Sequence, residues 1–202
     1  MPNDLPLTRR AFGLALASGL VLVGLPRAAA ALTVEQARSL VDDTVGQINA
    51  IISSGKSESA MLRDFEELFV SYADVPTIAR SALGPAARTA SKAQLSAFNM
   101  AFQGYISRKY GRRFREFIGG RIEVEDAREV KSFVEVITTA YLQGEAPFEV
   151  RFHVSDKAGK SLFFNIIIEG VNMLASERTE IGALLDQRGG DLDRLIADMT
   201  KL

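Results

Sequence analysis

The chain has 202 residues, 47% hydrophobic and 24% charged, with a formal net charge of −1. That balance describes one globular domain and offers no basic excess for a nucleic-acid partner. Cysteine is absent, which excludes thiol catalysis, thiolate-held metals and disulfides together.

The N-terminal stretch "LTRRAFGLALASGLVLVGLPRAAAAL" starts with Arg9 and Arg10, runs apolar over 11–25 and ends in small residues over 28–31. The run is shorter than the ~20 residues of a bilayer-spanning helix. It predicts an export signal over 1–31, removed near Ala30 or Ala31; an N-terminal anchor helix is the alternative. Thr8, Arg9, Arg10 and Phe12 resemble a twin-arginine signal. Gly13 and Leu14 depart from the usual Leu-Lys, so both export routes stay open. Residues 32–202 then make a single domain.

Thr33 followed by Gln36 reads as a capping box. After it Ala37, Leu40, Val41, Thr44, Val45, Ile48 and Ile51 recur at helical spacing. A second helix is expected over 59–72, with Leu62, Phe65, Leu68, Phe69 and Tyr72 on one face. Asp74 caps a third, with Pro76 in its first turn, and Leu83-Gly84 closes it. Ser91 opens a long helix whose Leu95, Phe98, Phe102, Ile106, Tyr110, Phe114 and Phe117 form an aromatic stripe, ending at Gly119-Gly120. Gly104 and Gly111 inside it cost about 1 kcal/mol each against alanine and mark a kink or a close approach.

The period then changes to two. Strands are expected over 121–127, 131–143 and 147–156; in the third, Phe148, Val150, Phe152 and Val154 alternate with Glu149, Arg151, His153 and Ser155. The fourth is "LFFNIIIEGVNML" over 162–174. Its apolar parity switches at Glu169-Gly170, which predicts a bulge or sharp bend that curls the sheet. Helices over 176–187 and 191–202 close the chain. Helices, then a meander, then helices give an α+β domain.

Reactive sites fail one by one. A single histidine and dispersed carboxylates do not make a metal cluster. His153 and Ser155 share a strand face without the rest of a hydrolytic triad. The run "GRRFREFIGGR" lacks the order of a phosphate loop. The basic run "RKYGRRFRE" reads either as a solvated helix end or as a contact for anionic headgroups or an acidic partner. What remains is apolar surface, since the second strand is apolar on both faces. Spacing leaves open whether the helices and sheet enclose a filled core or a cavity.

Four segments resemble the MlaC-type (toluene-tolerance) family of periplasmic phospholipid-binding proteins, in order and in register. They are "FEELFVSYADVPTIARSALG", "QLSAFNMAFQGYISRKYGRRFREF", "IIIEGVNMLASER" and "GGDLDRLIADM". The resemblance spans 33–202. Departures include the absence of tryptophan and Asn172 in place of the usual serine. They leave the lipid open between a phospholipid and the polycyclic lipid of the family's hopanoid-associated branch.

The resemblance implies an NTF2-like or cystatin-like fold: a curved four-stranded antiparallel sheet with six to seven helices around an apolar cavity. It implies a periplasmic carrier, with no catalytic group and no cofactor. Its partners would be an inner-membrane ABC lipid transporter complex and an outer-membrane lipoprotein complex. The expected lipid-binding residues are Phe98, Phe102, Tyr105, Phe133, Ile137, Phe148, Phe152, Phe164, Ile166, Ile168, Val171 and Met173. Arg108 and Arg112 are the expected headgroup or partner contacts. Two readings from other classes stand beside it: a small NTF2-like enzyme using Glu169 or His153, and a protein-interaction module.

Overall fold

The computed structural model describes residues 32–111 and 118–202. The expected export signal, Arg112, and the stripe's Phe114 and Phe117 lie outside the described residues.

Helix α1 (Val34–Ile52) starts at the expected capping box: Gln36 N–H donates to Thr33 Oγ1 (3.2 Å) and Thr33 N–H to Gln36 Oε1 (3.0 Å). Helices α2 (Glu58–Tyr72) and α3 (Val75–Leu83) are separated by Asp74, whose carboxylate accepts from Thr77 N–H at 3.1 Å. Gly84, at φ 63°, ends α3 and enters a short 3-10 helix (Gly84–Arg88). Helix α4 (Lys92–Gly111) opens on a second reciprocal cap, with Gln94 N–H on Ser91 Oγ and Ser91 N–H on Gln94 Oε1. After the strands come α5 (Met173–Asp186) and α6 (Leu192–Met199), the latter capped by Asp191.

Strands β1 (Arg121–Val130), β2 (Phe133–Tyr141), β3 (Phe148–Ser155), β4 (Leu162–Ile168) and the two-residue β5 (Val171–Asn172) form one antiparallel meander in chain order. The α+β class is as expected, but the sheet gains a fifth strand and the last long strand is shorter. The reason lies at Glu169 and Gly170, which have φ of 48° and 80°, with Ile168 paired to Val171 across them. Two successive positive-φ residues between paired strand ends make a two-residue type I′ hairpin turn. The chain therefore reverses there instead of bulging. The parity switch in the sequence marks the reversal and the start of α5 immediately after it.

The bulges sit elsewhere. Glu125 is the extra residue of β1, where Val124 pairs with Thr138 and Asp126 with Ile137. Phe164 is the extra residue of β4, where Asn165 pairs with His153 and Phe163 with Val154. Such insertions bend a strand and increase its twist.

The even-numbered residues of β2 and β3, Val134, Val136, Thr138, Ala140, Val150, Phe152 and Val154, are buried toward the helices. Helix α1 lies along β1 and β2. It covers the free edge of the sheet with polar side chains. Asn49 bonds both the carbonyl and the N–H of Ile122 at 3.2 Å, and the Arg38 guanidinium donates to the carbonyls of Val124 and Glu125, at the bulge. These bonds occupy part of the edge that β1 would otherwise leave open. At the other side Asp74 N–H donates to Phe163 O at 2.8 Å, which pins the α2–α3 junction onto β4. Helix α4 packs on α2 and α6, and α3 packs on α5.

Candidate functional site

A cavity of about 190 Å³ lies between the sheet and the helices. Its floor is Val150 and Phe152 of β3 with Phe163, Phe164, Ile166 and Ile168 of β4. Its helical walls are Ile48 of α1, Phe65, Leu68 and Phe69 of α2, Ile78 of α3, Ile106 of α4, and Met173 and Leu174 of α5. The alternation of β3 aims Val150 and Phe152 inward. Ile166 and Ile168 pair directly with Phe152 and Val150, so the two strands present one apolar surface. Several lining residues keep partial contact with solvent: Phe69, Tyr110, Phe164, Ile166, Ile168, Met173 and Leu174. They place the mouth where β4, the start of α5 and the end of α4 meet.

Five polar residues also touch the cavity: Thr44, Ser107, Tyr110, Asn165 and Glu177. Two of these are spent on the fold. Thr44 Oγ1 donates to Leu40 O at 2.7 Å within α1. Asn165 Oδ1 accepts from Leu174 N–H at 3.1 Å and so ties β4 to α5, while its amide reaches His153 Nδ1 at 3.4 Å.

Glu177 belongs to a charged network between α4 and α5. Its Oε1 accepts from the Tyr110 hydroxyl and from Lys109 Nζ (2.7 Å), and the same ammonium donates to Glu180 Oε2 at 2.5 Å. Tyr105 completes the set with a 2.5 Å bond to Glu180 Oε1. Burial, reinforced by hydrogen bonds to carboxylates, pushes both phenols well above their ordinary range, so each keeps its proton and donates. Burial alone would raise the Glu180 carboxyl, but Lys109 and Tyr105 donating to it hold it below its ordinary value.

Of the residues expected to bind lipid, Phe152, Phe164, Ile166, Ile168 and Met173 come together around the cavity. Phe98, Phe102 and Tyr105 stack in the helical layer, with successive ring centroids 5.7 and 6.3 Å apart, and are buried outside the lining. Phe133 stands 4.4 Å from the His153 ring and 5.6 Å from Phe164. Ile137 pairs with Arg151 and shares the sheet face of Glu135, half-buried. Phe148, at the start of β3, is half-buried against the core, and Val171 is 55% exposed just past the hairpin turn. Arg108 Nη2 donates to Met199 O at 2.6 Å, closing the end of α6 onto α4.

Of the two residues considered as an acid or base, Glu169 is exposed in the hairpin turn. His153 is off the lining, 3.3 Å from Glu135 Oε2. The contributions of α1, α2 and α3, and of Ser107, Tyr110 and Glu177, were not anticipated. Helical periodicity marks Ile48, Phe65, Leu68 and Ile106 as inward-facing, but it does not separate a residue on a cavity from one in a core.

Residues 40–201 match the MlaC protein family. Among solved structures, the chain is similar to a phospholipid-binding protein of Ralstonia solanacearum, determined in complex with a phospholipid. The two are 18% identical, with a TM-score of 0.68 over 82% of this chain and 99% of that one. Likeness at that identity speaks to the fold, and it agrees with the order of helices, meander and helices described above. The family match is independent of it and spans nearly all of the domain. The chain belongs to the MlaC family.

Proposed function

We propose that this protein is a lipid carrier of the periplasm. It takes lipid acyl chains into the cavity between β3–β4 and the helices and carries the lipid between membrane complexes. The observation that carries the reading is the cavity's wall, which is apolar over both sheet and helices and opens to solvent at one end of β4. Membership of the MlaC family and the phospholipid in the Ralstonia solanacearum protein support it.

The physics needed is sequestration without covalent chemistry. Each buried CH₂ is worth ~0.8 kcal/mol, so about ten methylenes contribute roughly 8 kcal/mol toward holding a lipid out of water. A cavity of about 190 Å³ is below the ~300–1,000 Å³ of sites that enclose drug-sized ligands. Loading therefore widens it, and the half-buried lining at the mouth is where the walls part.

In this reading residues 1–31 are the export signal and 32–202 the carrier domain. An inner-membrane ABC transporter complex and an outer-membrane lipoprotein complex are the exchange partners. The test is to purify the exported protein and extract it for lipid mass spectrometry. A stoichiometric phospholipid, or a hopanoid in its place, is the expected result and names the cargo. A lipid-free protein with no affinity for either overturns the proposal.

A further inference from the structure

Two residues that line the cavity each carry a buried polar atom with no hydrogen-bond partner among the described residues: Oε2 of Glu177 and Oγ of Ser107. Glu177 is 3% exposed and Ser107 7%. A buried carboxylate oxygen without a donor is costly, more so than a neutral group. Structures keep such atoms where water or a ligand supplies the missing bond.

The surroundings say what kind of group fits. Lys109 and the Tyr110 hydroxyl are already committed to Oε1, and Lys109 is shared with Glu180. Among the described residues, two carboxylates stand around one ammonium, which leaves the cluster with a net negative charge. It repels a phosphate and attracts a hydrogen-bond donor, best a charged one. Ser107 lines the same cavity from α4, and its hydroxyl can donate to a bound lipid or accept from it.

We propose that Glu177 and Ser107 form a polar subsite inside the cavity that recognises an O–H or N–H donor carried by the lipid, a hydroxyl or a primary ammonium. It gives the apolar cavity an orientation, because a lipid entering with its donor toward α5 satisfies Glu177 and one entering the other way leaves it bare. This inference rests on the carrier reading and names the class of lipid it selects.

The test uses the exported chain, stripped of lipid, and competition against a fluorescent fatty-acyl probe in mixed micelles. Three lipids with identical acyl chains are compared. Diacylglycerol offers a hydroxyl, phosphatidylethanolamine an ammonium with N–H donors, and phosphatidylcholine a cationic headgroup with no donor. The protein should bind at least one donor lipid about tenfold tighter than phosphatidylcholine, as a charge-assisted bond allows. Which donor lipid gains shows whether the hydroxyl or the ammonium is read.

In Glu177→Gln that ratio should fall to near one. Ser107→Ala, which suits a helix and leaves the Glu177 bonds in place, should lower it about threefold, and it serves if the first variant does not fold. Equal affinity for all three lipids in the unaltered protein overturns the subsite, as does a ratio unchanged in the variants. Failure to bind any of the three overturns the carrier reading as well.

Discussion

Residues of the same type play different parts here, and substitution separates them. Phe102 is fully buried beside Phe98 and Tyr105 and does not touch the cavity. Phe102→Ala should therefore cost about 3–5 kcal/mol of stability in urea unfolding. Ile166 lines the cavity and is only half-buried, so Ile166→Trp has space to grow into. It should leave the melting temperature within a few degrees while reducing co-purified lipid at least about fivefold, read by mass spectrometry. Retention of full lipid content would remove Ile166 from the binding site. A second residue-scale prediction concerns pH. Glu135 is buried although it lies on the sheet face away from the cavity, held by Arg128 at 2.6 Å, with His153 and Arg151 beside it and Phe133 and Phe164 over the imidazole. Burial holds His153 below its ordinary value of 6.5 despite Glu135 beside it. The folded state then binds fewer protons than the unfolded one as pH falls, so this contribution is complete above 6.5 and is lost toward the lower folded value. For Glu135 burial acts upward, but Arg128, aided by His153 and Arg151, holds it below 4.5, so its contribution fades only at lower pH. The melting temperature should fall from about pH 7 to about pH 5.5, and His153→Gln should flatten that segment. A flat profile in the unaltered protein would contradict the assignment.

At the scale of elements, two junctions shape the cavity. The β4–β5 turn delivers Met173 and Leu174 to the mouth, and it needs positive φ at Glu169 and Gly170. Gly170→Ala should cost about 1–2 kcal/mol, since a Cβ is disfavoured in that region. Glu169→Asn should be neutral or slightly stabilising, because asparagine tolerates it; urea denaturation checks both. The other junction is α4 against α2, where a Cβ on Gly111 would come within 2.3 Å of Leu62 Cδ2. Alanine gains about 1 kcal/mol of helix propensity over glycine, so Gly111→Ala sets that gain against displacement of the Leu62 tip. The net effect should be a loss in the wild-type background and a gain in Leu62→Ala, a sign change that a double-mutant cycle reads directly. These elements also show what the amino-acid order discloses. Caps at Thr33 and Asp74, the period of α1 and α2, and the alternation of β3 rest on local chemistry, and they were legible. Gly104 and Gly111 were both expected to mark a kink or a close approach; Gly111 meets Leu62 of α2, whereas Gly104 meets only Arg108 of its own helix. At Glu169-Gly170 the expected bulge or sharp bend is a full reversal, because a two-residue turn and a one-residue bulge both invert parity and only pairing distinguishes them. The cavity wall was half legible. Strand residues such as Ile166 and Phe152 announce their face, but Phe98 and Phe65 share the same helical signature, and only tertiary packing puts Phe65 on the cavity and Phe98 in the core. Glu177 gave no signal, since a carboxylate amid "ASERTE" reads as solvated helix until α4 covers it.

For the whole molecule, the proposed carrier role predicts that the domain is more stable with lipid bound than without it. Ligand that binds only the folded state stabilises by RT ln(1 + [L]/Kd), about 2.7 kcal/mol at a hundredfold excess over Kd. In a domain of this size 1 kcal/mol moves the melting temperature roughly 2–4 °C. Delipidation should therefore lower it by about 5–10 °C, and adding back the extracted lipid should restore it. The distribution of the effect matters as much as its size. Helix α1 is bonded to β1 through Asn49 and Arg38, and the α2–α3 junction is pinned to β4 at Phe163. Among the described residues the mouth is held by side-chain bonds alone, Asn165 to Leu174 and Lys109, Tyr105 and Tyr110 to the carboxylates of α5. Widening should then open α5 and the β4–β5 hairpin away from α4, with α1 and β1–β2 unmoved. Hydrogen exchange is the discriminating measurement: amides of α5 and the hairpin should exchange markedly faster in the lipid-free protein, while those of α1 and β2 should change little. Uniform slowing across the domain on loading would mean that the lipid stabilises the fold globally, without a moving wall. Faster exchange confined to α1 would place the opening at the β1 edge and overturn the mouth assigned to β4, α4 and α5.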